Sequence, residues 1–284
     1  MHPRLLSSLI LIDPVIYLVS SPSISLSGPS YTQLSTFRRD YWPSRAHAAS
    51  SFKANKFYQS WDPRVLDLWI RYGLRDLPTA LYPSSSHCSS KPSATTETPV
   101  TLTTPKHQEV FTFQRPNFSG VDAAGNPVQN RRTHPDIDPD VSDTYPFYRP
   151  EGPMTFKNLP HLRPSVLYIF AGKSPVSPPE WRKQKMETTG IGVGGSGGAK
   201  EGKVKEVLYA DLNHLIPMEA VERCADAVAG WLVPEMERWW GEEEEYERMW
   251  RGQGMREKTT VDEEWIRRVG GAPRGTADTS QYKL

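Results

Sequence analysis

The sequence has little cysteine, little excess charge and no long apolar run. Two cysteines in 284 residues, Cys88 and Cys224, exclude a disulfide framework and a cysteine-rich zinc site. Lys and Arg number 34 against 33 Asp and Glu, a formal net charge of +1, so no field gathers nucleic acid or anionic lipid. No stretch approaches the roughly 18 apolar residues that a membrane-spanning helix needs. Hydrophobic residues make up only 37%, which together with 26 prolines predicts that part of the chain is loop. Aromatic residues are plentiful. Nine Trp, nine Phe and twelve Tyr argue against disorder throughout. These bounds describe a cytosolic or organellar globular protein with a loop-rich middle.

Residues 1–20 read MHPRLLSSLILIDPVIYLVS, and two readings compete. Arg4 followed by Leu5, Leu6, Leu9, Ile10, Leu11 and Ile12 imitates a secretory signal that would be cleaved from an exported protein. Asp13 and Pro14 interrupt that run, and a charge within it is costly. The alternative is a buried strand over residues 9–12 that stops at Asp13-Pro14. A run apolar at every position suits a parallel strand covered on both faces. Such a strand needs neighbours on both edges and crossover helices. On this reading the chain begins in the middle of a fold.

Further on, residues 23–35 are rich in Ser and Pro and read as loop. Ser44 can cap a short helix through Ala48 and Phe52. Asp62-Pro63 pairs an N-cap with a first-turn proline, opening a helix with Val65, Leu66, Trp69, Ile70 and Leu74 on one face. Residues 84–105 are Ser/Thr/Pro-rich and are expected to be disordered or a mobile surface loop, with disorder assigned to 84–100. A helix around His107, Val110 and Phe111 follows, then a stretch to residue 164 with little periodicity. Residues 165–172 are a continuous apolar strand closing on Gly172, and residues 203–210 are a second strand. Pro217 then starts a helix with Val221, Cys224, Ala225, Val228 and Leu232 at helical spacing. Past Trp240 the chain is charged, and Glu242 to Glu245 read as a solvated helix face. Strand, turn, then amphipathic helix is the α/β pattern.

His214 is the most informative single residue, since it stands between the last strand and the helix after it. Ligands and catalytic groups collect at the carboxyl ends of strands in open α/β sheets, and an α/β-hydrolase places its catalytic histidine there. Asp13 ends the first strand on the same edge and could orient the imidazole; otherwise Asp13-Pro14 simply opens a loop. Gly194 to Gly198 match the letters G-x-S-x-G around Ser196, and Gly190, Gly192 and Gly195 match G-x-G-x-x-G. Neither has the preceding strand and following helix that make a nucleophile elbow or a phosphate cradle, so a flexible loop is the default. Asp136, Asp138, Asp140 and Asp143 lack the glycine and closing glutamate of a calcium loop. His107 and Glu109 are too few for zinc. Cys224 reads as packing, and Cys88 has no basic neighbour to favour a thiolate. No cofactor or metal site is therefore expected. The terminal Tyr282-Lys283-Leu284 fits a peroxisomal import signal in its Lys and Leu but not in its bulky Tyr.

Long stretches of the chain resemble the fungal toxin-biosynthesis α/β-hydrolases. They are LLSSLILIDPVI at 5–16, FRRDYWPSRAHAASSFKANKFYQSWDPRVLDLWIRYGLRDLPTALYP at 37–83, VTLTTPKHQEVFTF at 100–113, LPHLRPSVLYIFAGKSPVSPPE at 159–180, TGIGVGGSGG at 189–198 and NHLIPMEAVERCADAVAGWL at 213–232. The resemblance implies a partial α/β-hydrolase fold. Residues 1–19 would carry one core strand, 20–164 a helical, loop-rich lid, 165–240 the last part of the core, and 241–284 a charged tail. It places the serine elbow of the family upstream of a segment like residues 2–4, so the first strands, the nucleophile and the oxyanion amides would be missing. His214 would be general base and then acid, with Asp13 as its orienting partner. Hydrolases of this kind often carry the acid as Gly-x-x-Asp-Pro after the strand at 165–172; here Ser174 stands at the Asp place, which favours Asp13. Family members carry Gly-Gly before the histidine where this chain has Leu212-Asn213, whose side chains would crowd the loop.

The implied parent activity is serine-dependent hydrolysis of a small acyl ester or thioester, with Arg38, Arg39, Trp42, Trp61 and Trp69 either lining an acyl pocket or packing the lid. Without a nucleophile this chain alone is expected to be inactive. The rival reading is a non-enzymatic pseudoenzyme or truncated gene product acting, if at all, as a binding protein. Some relatives are peroxisomal, which supports an import receptor as partner of Tyr282-Lys283-Leu284 and a peroxisomal or cytoplasmic location.

Overall fold

The computed structural model describes residues 5–18, 31–83, 97–117, 119–137, 139 and 147–270. Chain order runs β1 (Ser8–Ile12), α1 (Tyr31–Phe37), β2 (Tyr41–Trp42), α2 (Arg45–Ala54), α3 (Lys56–Gln59) and α4 (Pro63–Tyr72). Next come β3 (Leu74–Asp76), β4 (Val100–Leu102), α5 (Lys106–Phe113), β5 (Arg115–Pro116), β6 (Phe147–Tyr148) and α6 (Glu151–Asn158). The chain closes with β7 (Ser165–Ala171), α7 (Pro179–Thr188), β8 (Val204–Tyr209), α8 (Ile216–Glu219), α9 (Val221–Gly252), α10 (Met255–Thr259) and α11 (Glu263–Val269). Two compact units result, residues 1–231 and 232–284, with α9 running through the division.

The core of the first unit is a parallel sheet ordered β1-β7-β8. Every residue of β7 is buried, as a run apolar on both faces requires of a central parallel strand. The register pairs Ile12 with Ile169 and Ala171 with Tyr209, so β1 and β8 both end beside the carboxyl end of β7. Gly172 lies so close to Ala210 that a Cβ there would come within 2.6 Å of its Cα; glycine lets the two strand ends converge. The strand expected at 9–12 is present, but it is half-buried rather than covered on both sides. Its position explains this, because β1 pairs on one edge only among the described residues.

The segment between β1 and β7 builds its own core from Trp42, Phe52, Tyr58, Leu66, Val100 and Leu102, with Trp61 and Trp69 against them. Ser44 caps α2 by accepting the His47 amide, and Asp62 caps α4 by accepting the Arg64 amide, as the sequence indicated. Three expectations need correction, two of them in this segment. Residues 31–35, read as loop, belong to α1, where Ser35 bonds Glu109 of α5 at 2.7 Å; Arg38, just past the helix, bonds the same carboxylate at 2.6 Å. Residues 100–102, assigned to the disordered stretch, are the buried middle strand of an antiparallel sheet ordered β2-β4-β3. Thr101 seals that strand by donating its hydroxyl to the Asp40 carbonyl at 2.6 Å. The helix expected from Pro217 is broken at Ala220 into α8 and α9.

In the second unit Glu242, Glu244 and Glu245 are exposed on α9, Arg238 bridges Glu235 and Glu242, and Asp262 caps α11. Among the described residues no helix is long and apolar enough to cross a membrane, and no cluster of three or more His, Cys, Asp or Glu could hold a metal ion. Cys88, Asp138, Asp140, Asp143 and Tyr282-Lys283-Leu284 lie outside the described residues.

Candidate active site

Asp13 extends the β1 ladder by one bond, donating its amide to the Ile169 carbonyl at 2.7 Å. Its φ of +41° lies in the left-handed region, rare for a residue with a side chain and rarer still before a proline. A backbone held there costs on the order of 1–3 kcal/mol and persists only where its surroundings fix it. Two contacts of the side chain fix it. The Ala171 amide donates to Oδ1 at 3.2 Å, and Nδ1 of His214 lies 2.8 Å from Oδ2. With the proton on Nδ1 the imidazole donates to the carboxylate, which fixes the tautomer and leaves Nε2 as the basic nitrogen. Among the described residues Nε2 has no hydrogen-bond partner. The Asp13 side chain is fully buried while His214 is 35% exposed, so the pair has an anchored acid and a reachable ring.

Burial pushes the Asp13 pKa up, but His214, the Ser174 hydroxyl, the Ala171 amide and the Ser177 hydroxyl outweigh it and hold the carboxyl below its ordinary value. Both serines are buried and neither reaches strict hydrogen-bond geometry. Ser174 thus turns a neutral group toward Asp13, where a second carboxylate would repel the first.

The loop that carries His214 is stitched down at both ends. Gly172 donates to the Tyr209 carbonyl at 2.8 Å and Lys173 to the Leu212 carbonyl at 3.0 Å. Leu212 is accommodated by burial, and Asn213 by bonding Oε2 of Glu219 through its amide at 3.1 Å and its carboxamide at 3.2 Å. The crowding expected from these two side chains therefore does not displace His214 from Asp13. The segment between β1 and β7 abuts the same stretch: the Asp62 amide donates to the Met218 carbonyl at 2.8 Å, and Arg64 pairs with Glu222.

Ser196 sits at the other end of the sheet. Its amide bonds the Leu162 carbonyl, before β7 begins, whereas Asp13 and His214 stand at the carboxyl end, about 20 Å along a seven-residue strand. The glycine loop is also pinned rather than free. Gly190, Gly192 and Gly197 donate to Leu159, Pro160 and Gly190 carbonyls at 2.8–2.9 Å, so those amides are already committed within the chain. A Cβ on Gly195 would collide with the Gly190 and Pro160 carbonyls, which is the packing reason for glycine there. Trp42, Trp61 and Trp69 belong to the aromatic core of the segment between β1 and β7, Arg38 pairs with Glu109 and Tyr58, and Arg39 lies 5.6 Å from the Trp42 ring centre. Cys224 is a buried free thiol whose pKa burial raises.

Sequence reasoning missed Lys185, on a helix that has no clear apolar stripe. The residue is completely buried, its Nζ has no hydrogen-bond partner among the described residues, and it lies 5.7 Å from the Phe170 ring centre. Burial lowers its pKa to about 8; the Asp13 charge opposes that shift and Arg182 reinforces it. A cationic group with a depressed folded-state pKa disfavours folding at neutral pH, and stability recovers as pH rises from about 8 toward the ordinary 10.5. Lys185→Met is therefore expected to raise stability at pH 7 by on the order of 2 kcal/mol and to remove the parent's gain between pH 8 and 10.5. Urea unfolding of both proteins at pH 7 and pH 10 checks this, and a destabilised Lys185→Met at pH 7 contradicts it.

No protein-family model matches the chain. The type I acyl-CoA thioesterase mpaH of Penicillium roqueforti (strain FM164) is 40% identical over 256 residues, covering 86% of this chain and 58% of that protein. The mpaH thioesterase of Penicillium brevicompactum is 38% identical over 97% of this chain and 63% of its own length. The chain thus spans about three-fifths of these curated relatives. The abhydrolase domain-containing protein ACTT2-1 of Alternaria alternata is 27% identical over 81% of this chain and 74% of its own length. Among solved structures, the peroxisomal α/β-hydrolase Lpx1 of Saccharomyces cerevisiae aligns at a TM-score of 0.48 and 12% identity, covering 92% of this chain and 58% of that one. Over most of its length the chain thus has fungal homologues, acyl-CoA thioesterases and abhydrolase domain-containing proteins among them.

Proposed function

We propose that this chain carries the acid–base half of a serine hydrolase acting on acyl-CoA thioesters, with His214 as general base and then general acid and Asp13 as its orienting carboxylate. The observation that carries the reading is the 2.8 Å contact between His214 Nδ1 and a buried, backbone-strained Asp13 at the carboxyl end of the sheet. The chemistry follows from the geometry. Nε2 removes the proton of a nucleophilic hydroxyl as it attacks the thioester carbonyl, Asp13 stabilises the imidazolium, and Nε2 returns the proton to the departing thiolate. Water then repeats the cycle on the acyl-enzyme. Thioester as the bond class is supported by the names of the Penicillium relatives. The division into a core and a lid spanning residues 20–164 is part of the same reading, supported by the separate aromatic core of that segment.

Because no described serine bonds His214, the 284 residues as they stand are expected to turn over acyl-CoA no faster than buffer. The test is a chimera joining this chain to the part of the Penicillium brevicompactum thioesterase that has no counterpart in it. Release of free CoA from a medium-chain acyl-CoA is expected from the chimera and not from the chain alone. A folded chimera without activity, or one whose activity survives His214→Ala, sinks the proposal.

A further inference from the structure

We infer that Glu219 is a positioning residue for His214: it grips both chain neighbours of the histidine and so holds the imidazole on Asp13. This role rests on the reading of His214 as the acid–base group. Among the described residues the His214 amide makes no backbone hydrogen bond, and the ring has one hydrogen-bond partner, Asp13 Oδ2 at 2.8 Å. A single such bond is worth about as much as the entropy lost in ordering one loop residue. Something else must keep residue 214 in place.

Glu219 touches the residue on each side of it. The Asn213 amide donates to Glu219 Oε2 at 3.1 Å, and the Asn213 carboxamide donates to the same oxygen at 3.2 Å. On the other side the Glu219 amide donates to the Leu215 carbonyl at 3.1 Å. The carboxylate therefore fixes the backbone and the side chain of Asn213 while the amide fixes Leu215. What is left for His214 to search is little more than its own side-chain torsions, so the bond to Asp13 forms from an ordered backbone.

An anchor has to be fixed itself. Glu219 ends α8, whose Ile216 is completely buried and whose Met218 carbonyl accepts the Asp62 amide at 2.8 Å. Upstream of Asn213, Arg223 holds Asp211 with two bonds, at 2.7 and 3.0 Å. Both donors of Asn213 end on one oxygen, so the site needs an acceptor there and not a charge. Glu219→Gln keeps a carbonyl oxygen for them, and Glu219→Ala removes it. Asn213→Asp replaces the donating carboxamide with a carboxylate that faces and repels the first.

The ring itself reports its position. Bonded to Asp13, the neutral imidazole carries its proton on Nδ1; released into water, it prefers the proton on Nε2. Long-range proton–nitrogen correlation spectra of the isotope-labelled chain in mildly alkaline buffer show which nitrogen is protonated, with His214 assigned through His214→Gln. The Nδ1–H form is expected in the unmodified chain and in Glu219→Gln. Glu219→Ala and Asn213→Asp are expected to convert most of the population to Nε2–H. The double variant Asn213→Asp/Glu219→Gln should restore Nδ1–H, because the introduced carboxamide can donate to the introduced carboxylate. A Glu219 that only stabilises α8 would lower the melting temperature of Glu219→Ala and leave the tautomer in place. An Nδ1–H ring in folded Glu219→Ala, or in Asn213→Asp should the alanine variant not fold, overturns the inference, as does an Nε2–H ring in Glu219→Gln. Hydrolysis is not measured here. A tautomer that follows Glu219 in a chain whose chimera is inactive sinks the hydrolase reading alone, an active chimera with a tautomer indifferent to Glu219 sinks only the role of Glu219, and an Nε2–H ring in the unmodified chain removes both.

Discussion

Asp13→Asn in the chimera is expected to lower thioester hydrolysis by about 10³–10⁴-fold, mostly in kcat. Asparagine is the informative replacement because it tolerates the left-handed backbone at φ +41° better than other non-glycine residues, so the loop should hold. Two acceptor oxygens become one. The Ala171 amide and the His214 Nδ1–H, at present served by Oδ1 and Oδ2 separately, must then compete for a single carbonyl oxygen. If the ring turns to accept from the new amide, its proton moves to Nε2 and the base is lost. If it does not, the imidazolium still forms without a counter-charge. Either outcome falls on the transition state rather than on substrate affinity, so KM should change little. Steady-state kinetics with an acyl-CoA and a thiol-reactive dye decide the matter; a rate within tenfold of the parent chimera removes Asp13 from the mechanism.

Acid gives a complementary signature. The folded-state pKa of Asp13 lies below its ordinary 3.8, so the stability it contributes is present above that value and is lost as pH falls through the folded-state pKa. Asp13→Asn abolishes that contribution and should flatten the acid limb of the unfolding profile.

Phe170→Ala is expected to destabilise the chain by about 3–5 kcal/mol. Phe170 is fully buried in β7, the strand paired on both sides, and its ring lies parallel to Tyr168 at 5.2 Å between centroids. Truncation opens a cavity that neither neighbouring strand can close, since both are held in register along β7. It also strips Lys185 of the ring that faces its ammonium. Urea unfolding at pH 7 is the measurement. A loss under 1 kcal/mol would mean that β7 is not the centre of the cooperative unit.

Legibility from the sequence varied with how local the signal was. The unbroken apolar letters of residues 165–171 specify a buried strand without reference to anything else, and β7 is buried at every position. Asp62-Pro63 and Ser44 announce helix starts because a cap bonds an amide two or three residues away. By contrast, β4 is three residues in a Thr/Pro-rich stretch, and what makes it a strand is pairing with β2 and β3, up to about sixty positions earlier. Composition carries no trace of such pairing. α1 escaped notice for the same reason, since Glu109 holds it from α5.

The sequence by itself determined the α/β class, the order of the three core strands along the chain, and the candidacy of Asp13 and His214, because each follows from patterns within a dozen residues. Only the tertiary structure decided that residues 201 positions apart meet at 2.8 Å, that Ser196 lies at the opposite end of the sheet, and that a lysine is buried against Phe170. Those facts depend on strand register and on which loops two neighbouring strand ends bring together, and register is a property of the pairing rather than of either strand.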